Sequence, residues 1–306
     1  MRILVLGPGA IGGYFGGRLL QSGADVTFLV RPRRAEELAR DGLVIKSPLG
    51  DATLRKPPTV LARDLTQPFD IVLLTCKAFD LDDAIASIAP AVGPQTAIMP
   101  MLNGMRHLDV LDARFGRDRV LGGQCAIAAT LNPDREIVQL APMQALGFGE
   151  RDGTLSERVR AADEIFRRGN FDGKASETIM QDMWEKWTML ATLACSTCLM
   201  RGPVGKILAA PGGRDYILGV RDEIRAIARA AGHDPRPPFV KRITTMLTAE
   251  GSPLTASMFR DVTAGLPTEA DHIVGDLIVR AEAAVIEVPR LRVAYTHLKT
   301  YEAQRG

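Results

Sequence analysis

The sequence has few cysteines, few aromatic residues and almost no excess of charge of either sign. Its 306 residues include 4 cysteines and 5% aromatic side chains, and its 38 basic and 36 acidic residues leave a net charge of +2. So few cysteines cannot build a disulfide framework. The balanced charge gives no footprint for nucleic acid or for an acidic membrane surface. We therefore expect an ordinary globular protein with neither of these as a partner.

Long hydrophobic runs are also missing. The longest apolar stretch, residues 187–200, is shorter than the roughly 20 residues that span a bilayer. Met1 leads directly into an apolar run, with no signal segment before it, and we expect a cytoplasmic protein. Cys195 and Cys198 form a C-x-x-C pair within the apolar stretch. A redox or metal pair is the alternative, but the helical apolar setting and the absence of a second pair favour reduced core cysteines and no metal.

What the sequence does have is a glycine-rich turn near its start. The apolar run at 3–7 predicts a buried strand, residues 10–22 predict a helix, and 25–30 predict a second strand. A G-x-G-x-x-G pattern in this β-α-β setting is typical of a dinucleotide site. The pattern places Gly7 in the tight turn, Gly9 where the backbone approaches a pyrophosphate, and Gly12 where the helix packs on the strand. The first helical residues, Ala10 and Ile11, belong to the same predicted phosphate-binding segment.

Arg31 follows the second predicted strand, where an NAD-binding protein would place an acidic residue for the ribose hydroxyl. An arginine there can instead pair with the 2′-phosphate of NADP. Arg33 and Arg34 add positive charge nearby, although arginines at a helix start can also be simply solvated. The sequence therefore favours NADPH over NADH.

The rest of the chain divides into two halves of different character. Up to about residue 175 strands and helices alternate, with a hairpin at 42–56, a strand at 69–78, a strand with its C-terminal turn at 95–104, and a short connection at 171–176. From residue 177 only helical periodicity is found. We expect a doubly wound Rossmann-type NADP-binding domain at 1–175 and an all-helical substrate and catalytic domain at 176–306.

Four features from separate stretches follow predicted strands of the first half. They are the Gly7–Gly12 segment, Arg31, Lys77 and Asn103. Ligands of open parallel sheets bind at the carboxyl ends of the strands. We therefore expect these features to converge on one edge of the sheet.

Two charged residues of the second half are candidates for the chemistry. Lys186 stands between Trp184 and Trp187 at the start of an apolar helix, and aromatic surroundings would lower the pKa of a lysine toward that of a general acid. The alternative is a lysine that reaches out to solvent. Glu269, near the start of another helix, is by itself a carboxylate favoured by the helix dipole.

Taken in order, the segments "GPGAIGGYFGGRL", "LLTCKA", "LNGM", "WEKW", "ASMFRDV" and "PTEADHI" resemble the ketopantoate reductase (2-dehydropantoate 2-reductase) family. The similarity runs from Met1 to about Leu298. The glycine pattern is shared with many dehydrogenases, whereas the later segments are more specific to this family.

The resemblance implies a role for each matching residue. Lys186 would be the general acid that protonates the ketone oxygen, and Glu269 would hydrogen-bond the substrate and orient the reacting groups. Ser257 would bind the substrate carboxylate. Asn103 would lie close to both the nicotinamide and the substrate. On the cofactor side, Arg31 would hold the 2′-phosphate and Lys77 would lie near the cofactor ribose.

One departure from the family pattern concerns the helix after the lysine. The family usually carries asparagines four and eight positions on, where this chain has Leu190 and Ala194. Losing two amides changes specificity more than chemistry. The expected activity is reduction of 2-dehydropantoate to pantoate, in pantothenate biosynthesis. The alternatives are a related reductase for a bulkier or more apolar 2-keto acid, or an NADP-sensing module without catalysis. The sequence leaves a homodimer open.

Overall fold

The computed structural model describes residues 1–305 of the chain. It divides into two compact units, one made of Met1–Leu102 with His107–Ile179, and the other of Asn103–Arg106 with residues 180–305. The first unit alternates strands and helices around parallel strands, and the second is helical. This is the predicted fold class. The division falls at Ile179, close to the boundary expected near residue 175, but the short segment from Asn103 to Arg106 groups with the second unit.

The first unit is built on a parallel sheet with the strand order β5-β2-β1-β6-β7. Its strands and helices are β1 (Arg2–Leu6), α1 (Ala10–Gln21), β2 (Asp25–Leu29), α2 (Pro32–Asp41), β5 (Thr59–Val60), β6 (Ile71–Leu74), α3 (Leu81–Ile88) and β7 (Ala97–Pro100). Apart from Arg2 of β1 and Asp25 and Thr27 of β2, the central strands are apolar, because helices cover parallel sheets on both faces. In the register, Val5 of β1 lies between Phe28 of β2 and Leu73 of β6.

A second sheet in the same unit has the order β10-β9-β3-β4, with β8 also paired to β9. Its elements are β3 (Leu43–Lys46), β4 (Ala52–Leu54), β8 (Gly122–Leu131), β9 (Ile137–Gly149) and β10 (Asp172–Ala175); helices α4 (Arg106–Phe115) and α5 (Glu157–Phe166) precede β8 and β10. The predicted hairpin at 42–56 is confirmed as the antiparallel pair β3–β4. The expected connection at 171–176 is wrong, because β10 pairs in parallel with β9 through its backbone.

Glycines on α1 let that helix lie close to strands of both sheets. A Cβ at Gly16 would stand 2.8 Å from the Phe28 ring, and one at Gly17 would stand 2.9 Å from Ile45. Both contacts are tighter than ordinary packing, so α1 fits here only because these side chains are absent. This packing fixes the direction in which the helix N-terminus points.

The second unit consists of seven α-helices and one π-helical turn among its described residues. The helices are α6 (Ile179–Met200), α7 (Val204–Leu208), α8 (Gly213–Ala230), α9 (Pro237–Leu247), α10 (Ser257–Thr263), α11 (Asp276–Ala283) and α12 (Pro289–Arg305), and the π-helix covers Asp271–Gly275. Within residues 180–305 there is no strand, as expected. Of the helices in residues 1–305, none is both long and apolar enough to cross a bilayer.

Candidate active site

The glycine turn between β1 and α1 has the geometry of a phosphate-binding turn. Gly7 has a φ of +76°, a conformation that glycine adopts without strain. A Cβ on Gly9 would meet no atom within 4 Å, so the space in front of this backbone is open. Gly9 caps α1 without a side-chain hydrogen bond, which leaves the first amide groups of the helix, from Ala10 and Ile11 onward, available to an anion. The turn therefore fits a pyrophosphate.

Gly12, unlike Gly9, is closely surrounded by other atoms of the protein. A Cβ there would lie 2.3 Å from Thr75 Oγ1 and 2.4 Å from the carbonyl oxygen of Gly7. The Thr75 hydroxyl also donates to the Leu6 carbonyl oxygen at 2.9 Å. Gly12 thus permits α1 to pack against the end of β6, and its role is one of close approach within the protein.

A cleft of about 550 Å³ opens beside this turn. Its walls come from the ends of β1, β2 and β6 and from α3, and the charged residues lining it are Arg31, Arg34, Arg63, Arg135, Asp80 and Asp83. With four arginines against two aspartates, the cleft carries an excess of positive charge. Such a cleft is suited to a ligand with phosphate groups.

Arg31 lies between the end of β2 and the start of α2, and it lines the cleft. Its side chain is 83% exposed, and its Nη2 lies 3.9 Å from Asp83 Oδ2, which is itself exposed. Exposed ion pairs at such a distance are weak. The guanidinium is therefore free to exchange this carboxylate for a ligand phosphate.

Lys77 and Asn103 follow the next two strands, β6 and β7. Lys77 is exposed and precedes a short 3-10 turn at Ala78–Asp80. The glycine turn, Arg31 and Lys77 thus follow three adjacent parallel strands at their carboxyl ends. Asn103 follows β7 in sequence but groups with the second unit. The glycine turn, Arg31 and Lys77 therefore belong to one unit and Asn103 to the other.

Lys186 lies in the first half of α6 and is partly buried. Among residues 1–305 it has no hydrogen-bond or ion-pair partner, so its ammonium group is available to a ligand. Trp184 and Trp187 pack on each other with ring centroids 5.0 Å apart, and Arg280 lies beside both rings, at 5.8 and 5.7 Å. Residues one or two apart on a helix do not face each other. The influence of the two tryptophans on Lys186 stays a prediction.

Helix α6 is tied to both segments that carry the other candidate residues. The Trp187 indole N–H donates to the Ile273 carbonyl oxygen at 3.0 Å, which joins α6 to the π-helix after Glu269. The Thr197 hydroxyl accepts from the backbone N–H of Ala256 at 3.3 Å, next to Ser257. Both contacts are buried. They fix where Glu269 and Ser257 stand relative to the lysine-bearing helix.

Glu269 is buried, with 7% of its surface exposed, and it lies two residues before the first residue of the π-helix. π-Helical turns occur mainly at functional sites. His272 in this turn hydrogen-bonds the backbone of Asn103, and a Cβ on Gly104 would stand 2.9 Å from the His272 carbonyl oxygen. The turn carrying Asn103 therefore packs directly on the segment carrying Glu269. Burial lowers the pKa of His272, although Glu269 and Asp276 oppose this shift, so the ring is neutral near pH 7.

Ser257 is the first residue of α10 and is exposed. Its hydroxyl has no hydrogen-bond partner within residues 1–305. The preceding chain is held firmly, because the Val204 N–H donates to the Leu254 carbonyl oxygen at 3.0 Å and the Gly205 N–H donates to that of Ser252 at 2.9 Å. A fixed, unpartnered hydroxyl is a suitable donor to a substrate carboxylate.

Sequence reasoning missed the ion pair beside the lysine. Glu185 is buried and accepts from Arg236, which also reaches Asp182. Burial raises the pKa of the Glu185 carboxyl, but the hydrogen bonds from Arg236 outweigh it and the net shift is downward. The two partners are 51 residues apart in the chain, and nothing in the sequence pattern pairs them.

Leu190 and Ala194 stand one and two turns after Lys186 on α6. Leu190 is partly buried and Ala194 is 2% exposed. Neither side chain can donate a hydrogen bond. The face of α6 that continues from Lys186 is therefore apolar.

Further along α6, both cysteines of the C-x-x-C pair are buried and unbridged. Burial raises the pKa of the Cys198 thiol to about 12 and raises that of Cys195 as well. Both therefore remain protonated thiols within the core. No three His, Cys, Asp or Glu side chains of residues 1–305 are grouped so that they could hold a metal ion.

Comparisons with known proteins agree on one family. Residues 3–153 match the family model for ketopantoate reductase PanE/ApbA, and residues 178–302 match the model for its C-terminal part. The uncharacterized oxidoreductase YkpB of Bacillus subtilis (strain 168) is 36% identical over 305 residues, and the match covers all of both chains.

Among solved structures, 2-dehydropantoate 2-reductase from Methylococcus capsulatus is similar to this chain, with a TM-score of 0.88 and 29% identity over 100% of this chain and 98% of that one. D-mandelate dehydrogenase, solved with NADH and anilino(oxo)acetate, shares the fold, with a TM-score of 0.86 and 18% identity over 100% and 99%. One fold thus serves proteins with different named substrates.

Proposed function

Because this chain belongs to the ketopantoate reductase family of oxidoreductases, we propose that it reduces a 2-keto acid to the 2-hydroxy acid with NADPH. The first candidate substrate is 2-dehydropantoate, the substrate named for the Methylococcus protein. The observation that carries the proposal is the position of α6. This helix bears Lys186, and it is hydrogen-bonded to the segments that carry Glu269 and Ser257.

The first unit provides the proposed cofactor site. The open backbone at Gly9 and the uncapped start of α1, with Ala10 and Ile11, would receive the pyrophosphate. Arg31 would exchange its weak pair with Asp83 for the 2′-phosphate. Lys77, exposed after β6, would lie near the ribose. When bound, the reduced nicotinamide supplies the hydride that adds to the keto carbon.

The second unit provides the proposed acid and the substrate contacts. Negative charge develops on the ketone oxygen during reduction, and Lys186 would stabilise that charge and then transfer a proton to it from Nζ. Ser257 would donate to the substrate carboxylate. Glu269 would accept a hydrogen bond from the substrate, and the side-chain amide of Asn103, whose backbone is hydrogen-bonded to His272, would orient the reacting group. These roles require no metal.

A second candidate is a 2-keto acid with a larger or more apolar side chain. The apolar face formed by Leu190 and Ala194 favours it. A substrate with a hydroxyl group gains no hydrogen bond from this face, whereas a substrate with a hydrocarbon side chain would bury surface against the exposed part of Leu190 at about 25 cal/mol per Å².

A substrate panel distinguishes these proposals. The initial rate of NADPH oxidation is measured with 2-dehydropantoate, with branched aliphatic 2-keto acids and with an aromatic 2-keto acid, and each is repeated with NADH. We expect the highest kcat/KM with NADPH, for 2-dehydropantoate under the first candidate and for a larger keto acid under the second. Tight NADPH binding without turnover of any keto acid would contradict both and leave a cofactor-sensing protein.

A further inference from the structure

The hairpin that joins β8 to β9 reaches the cofactor cleft. Its tip is closed by two backbone hydrogen bonds, from the Asn132 N–H to the Glu136 carbonyl oxygen at 3.0 Å and from the Arg135 N–H to that of Asn132 at 2.9 Å. Arg135, at the end of this tip, lines the same cleft as Gly9 and Arg31. Residues about a hundred positions apart in the chain thus contribute to one wall.

Two residues of α2 hold the tip in place. The Arg135 Nε lies 3.0 Å from Glu37 Oε2, and Arg34 Nη1 donates to the same carboxylate oxygen at 3.1 Å. Arg34 Nη2 also donates to the Arg135 carbonyl oxygen at 3.4 Å. Arg34 is largely buried and Glu37 is 14% exposed. This arrangement makes Glu37 the anchor between the hairpin tip and the helix that begins after Arg31.

The backbone of Arg135 shows that the position is unusual for an arginine. Its φ is +60°, in the left-handed region. The last residue of a three-residue hairpin loop is usually glycine or asparagine for this reason. A non-glycine residue is disfavoured in this region, and such residues cluster at ligand sites. The Arg135 side chain remains 48% exposed although its Nε is paired with Glu37.

We propose that Arg135 is a second determinant of cofactor specificity, a guanidinium that contacts the 2′-phosphate of NADPH together with Arg31. The inference rests on the proposed function, because it assumes that this cleft receives the adenosine end of NADPH. Arg34 and Glu37 act as positioning residues for it. The Arg135 Nε forms the ion pair with Glu37, and the outer N–H groups are available for a charge-assisted pair with the phosphate.

Adenosine 2′,5′-bisphosphate and adenosine 5′-monophosphate are the probes, because they differ only in the 2′-phosphate and need no turnover. Arg135→Asn is the test variant, since asparagine tolerates the left-handed backbone. Lys56→Asn is its matched control. Lys56 is also basic and exposed, and its backbone is in the left-handed region with a φ of +48°, but it does not line the cleft. Binding is measured by calorimetry, and melting temperatures verify that both variants fold.

We expect Arg135→Asn to weaken the bisphosphate about tenfold and the monophosphate less than twofold, with Lys56→Asn matching the wild type. Equal weakening of both probes, or no weakening of either, overturns the role of Arg135. Arg31→Ala separates this outcome from failure of the proposed function. If Arg31→Ala removes the preference for the bisphosphate and Arg135→Asn does not, only the present inference fails. If the wild type itself shows no preference, the NADPH assignment fails and this inference fails with it.

Discussion

Glu185 and Arg236 are joined by three hydrogen bonds directly beside Lys186. The Arg236 backbone N–H and Nε donate to Glu185 Oε1 at 2.9 and 2.7 Å, and Nη2 donates to Oε2 at 2.7 Å. Glu185 is almost fully buried, whereas Arg236 is about half exposed. The pair attaches the start of α9 to the helix that carries the proposed acid.

Glu185→Gln should therefore destabilise the second unit by about 1.5–3 kcal/mol at pH 7, the range for a hydrogen bond to a charged group. The pKa of Glu185 is lowered in the folded protein, so its stabilisation is complete above the ordinary value of 4.5 and is lost as the pH falls below it. Urea unfolding followed by tryptophan fluorescence measures this, because both tryptophans of the chain lie in α6.

Glu282→Gln is the control for this experiment. Glu282 pairs with Arg292 at 2.9 Å, but both side chains are about half exposed, and such pairs contribute little. Wild-type stability at pH 7 for Glu282→Gln, beside a clear loss for Glu185→Gln, is the expected pattern. Equal stability of the two variants would show that the buried pair does not hold α9 to α6.

Lys186→Ala should lower kcat by about 10²-fold or more, because general acid catalysis supplies that much. Lys241→Ala is the control, since Lys241 is exposed on α9 of the same unit. NADPH binding, measured by cofactor fluorescence, should be unchanged in both variants. A near-normal kcat for Lys186→Ala would remove this lysine from the mechanism.

Two threonines of α6 provide a matched pair for the position of Ser257. Thr192 and Thr197 are both fully buried and both donate to the carbonyl oxygen four residues before them, at 2.7 and 2.8 Å. Only Thr197 also accepts from the N–H of Ala256. Thr197→Val should raise the KM for the keto acid about fivefold, since a lost hydrogen bond costs about 1 kcal/mol.

Steady-state kinetics of both valine variants test this assignment. Thr192→Val should keep the wild-type KM, and both variants should keep most of kcat, because neither threonine touches the reacting atoms. The same rise in KM for both would show a general effect of valine in α6. In that case Thr197 would have no specific effect on Ser257.

The first unit was the more predictable part of the molecule. The strands of its parallel sheet are largely apolar runs, several of its turns carry glycine at positive φ, and these cues are local in the sequence. The exception is β10, where Asp172, Gly173 and Lys174 lack an apolar pattern. That segment is a strand because its backbone pairs with β9, and tertiary context decides such strands.

The candidate site was predictable only as a set of residue types. Lys186, Ser257 and Glu269 follow from the resemblance to the family, but the contacts that hold them do not. The π-helix after Glu269 has no sequence signature, and Arg236 reaches Glu185 across 51 residues. The attachment of the hairpin tip to Glu37 through Arg135 depends on how two distant segments pack.

The two glycines that open α1 should respond in opposite ways to the same change. A Cβ at Gly12 would overlap Thr75 Oγ1 and the Gly7 carbonyl oxygen, so Gly12→Ala must displace the backbone of the turn. Overpacking of this kind costs about 1–3 kcal/mol. A Cβ at Gly9 meets nothing within 4 Å, so Gly9→Ala should melt at the wild-type temperature.

Cofactor binding then separates the two roles. Gly9→Ala should raise the Kd for NADPH at least tenfold, because the new methyl group occupies the space through which the pyrophosphate approaches the backbone. Gly12→Ala should lower the melting temperature. It should weaken NADPH binding only indirectly, because the turn is displaced. Thermal unfolding and a fluorescence titration on the same samples measure both quantities. If Gly9→Ala binds NADPH as tightly as the wild type, the open space in front of Gly9 is not where the pyrophosphate binds.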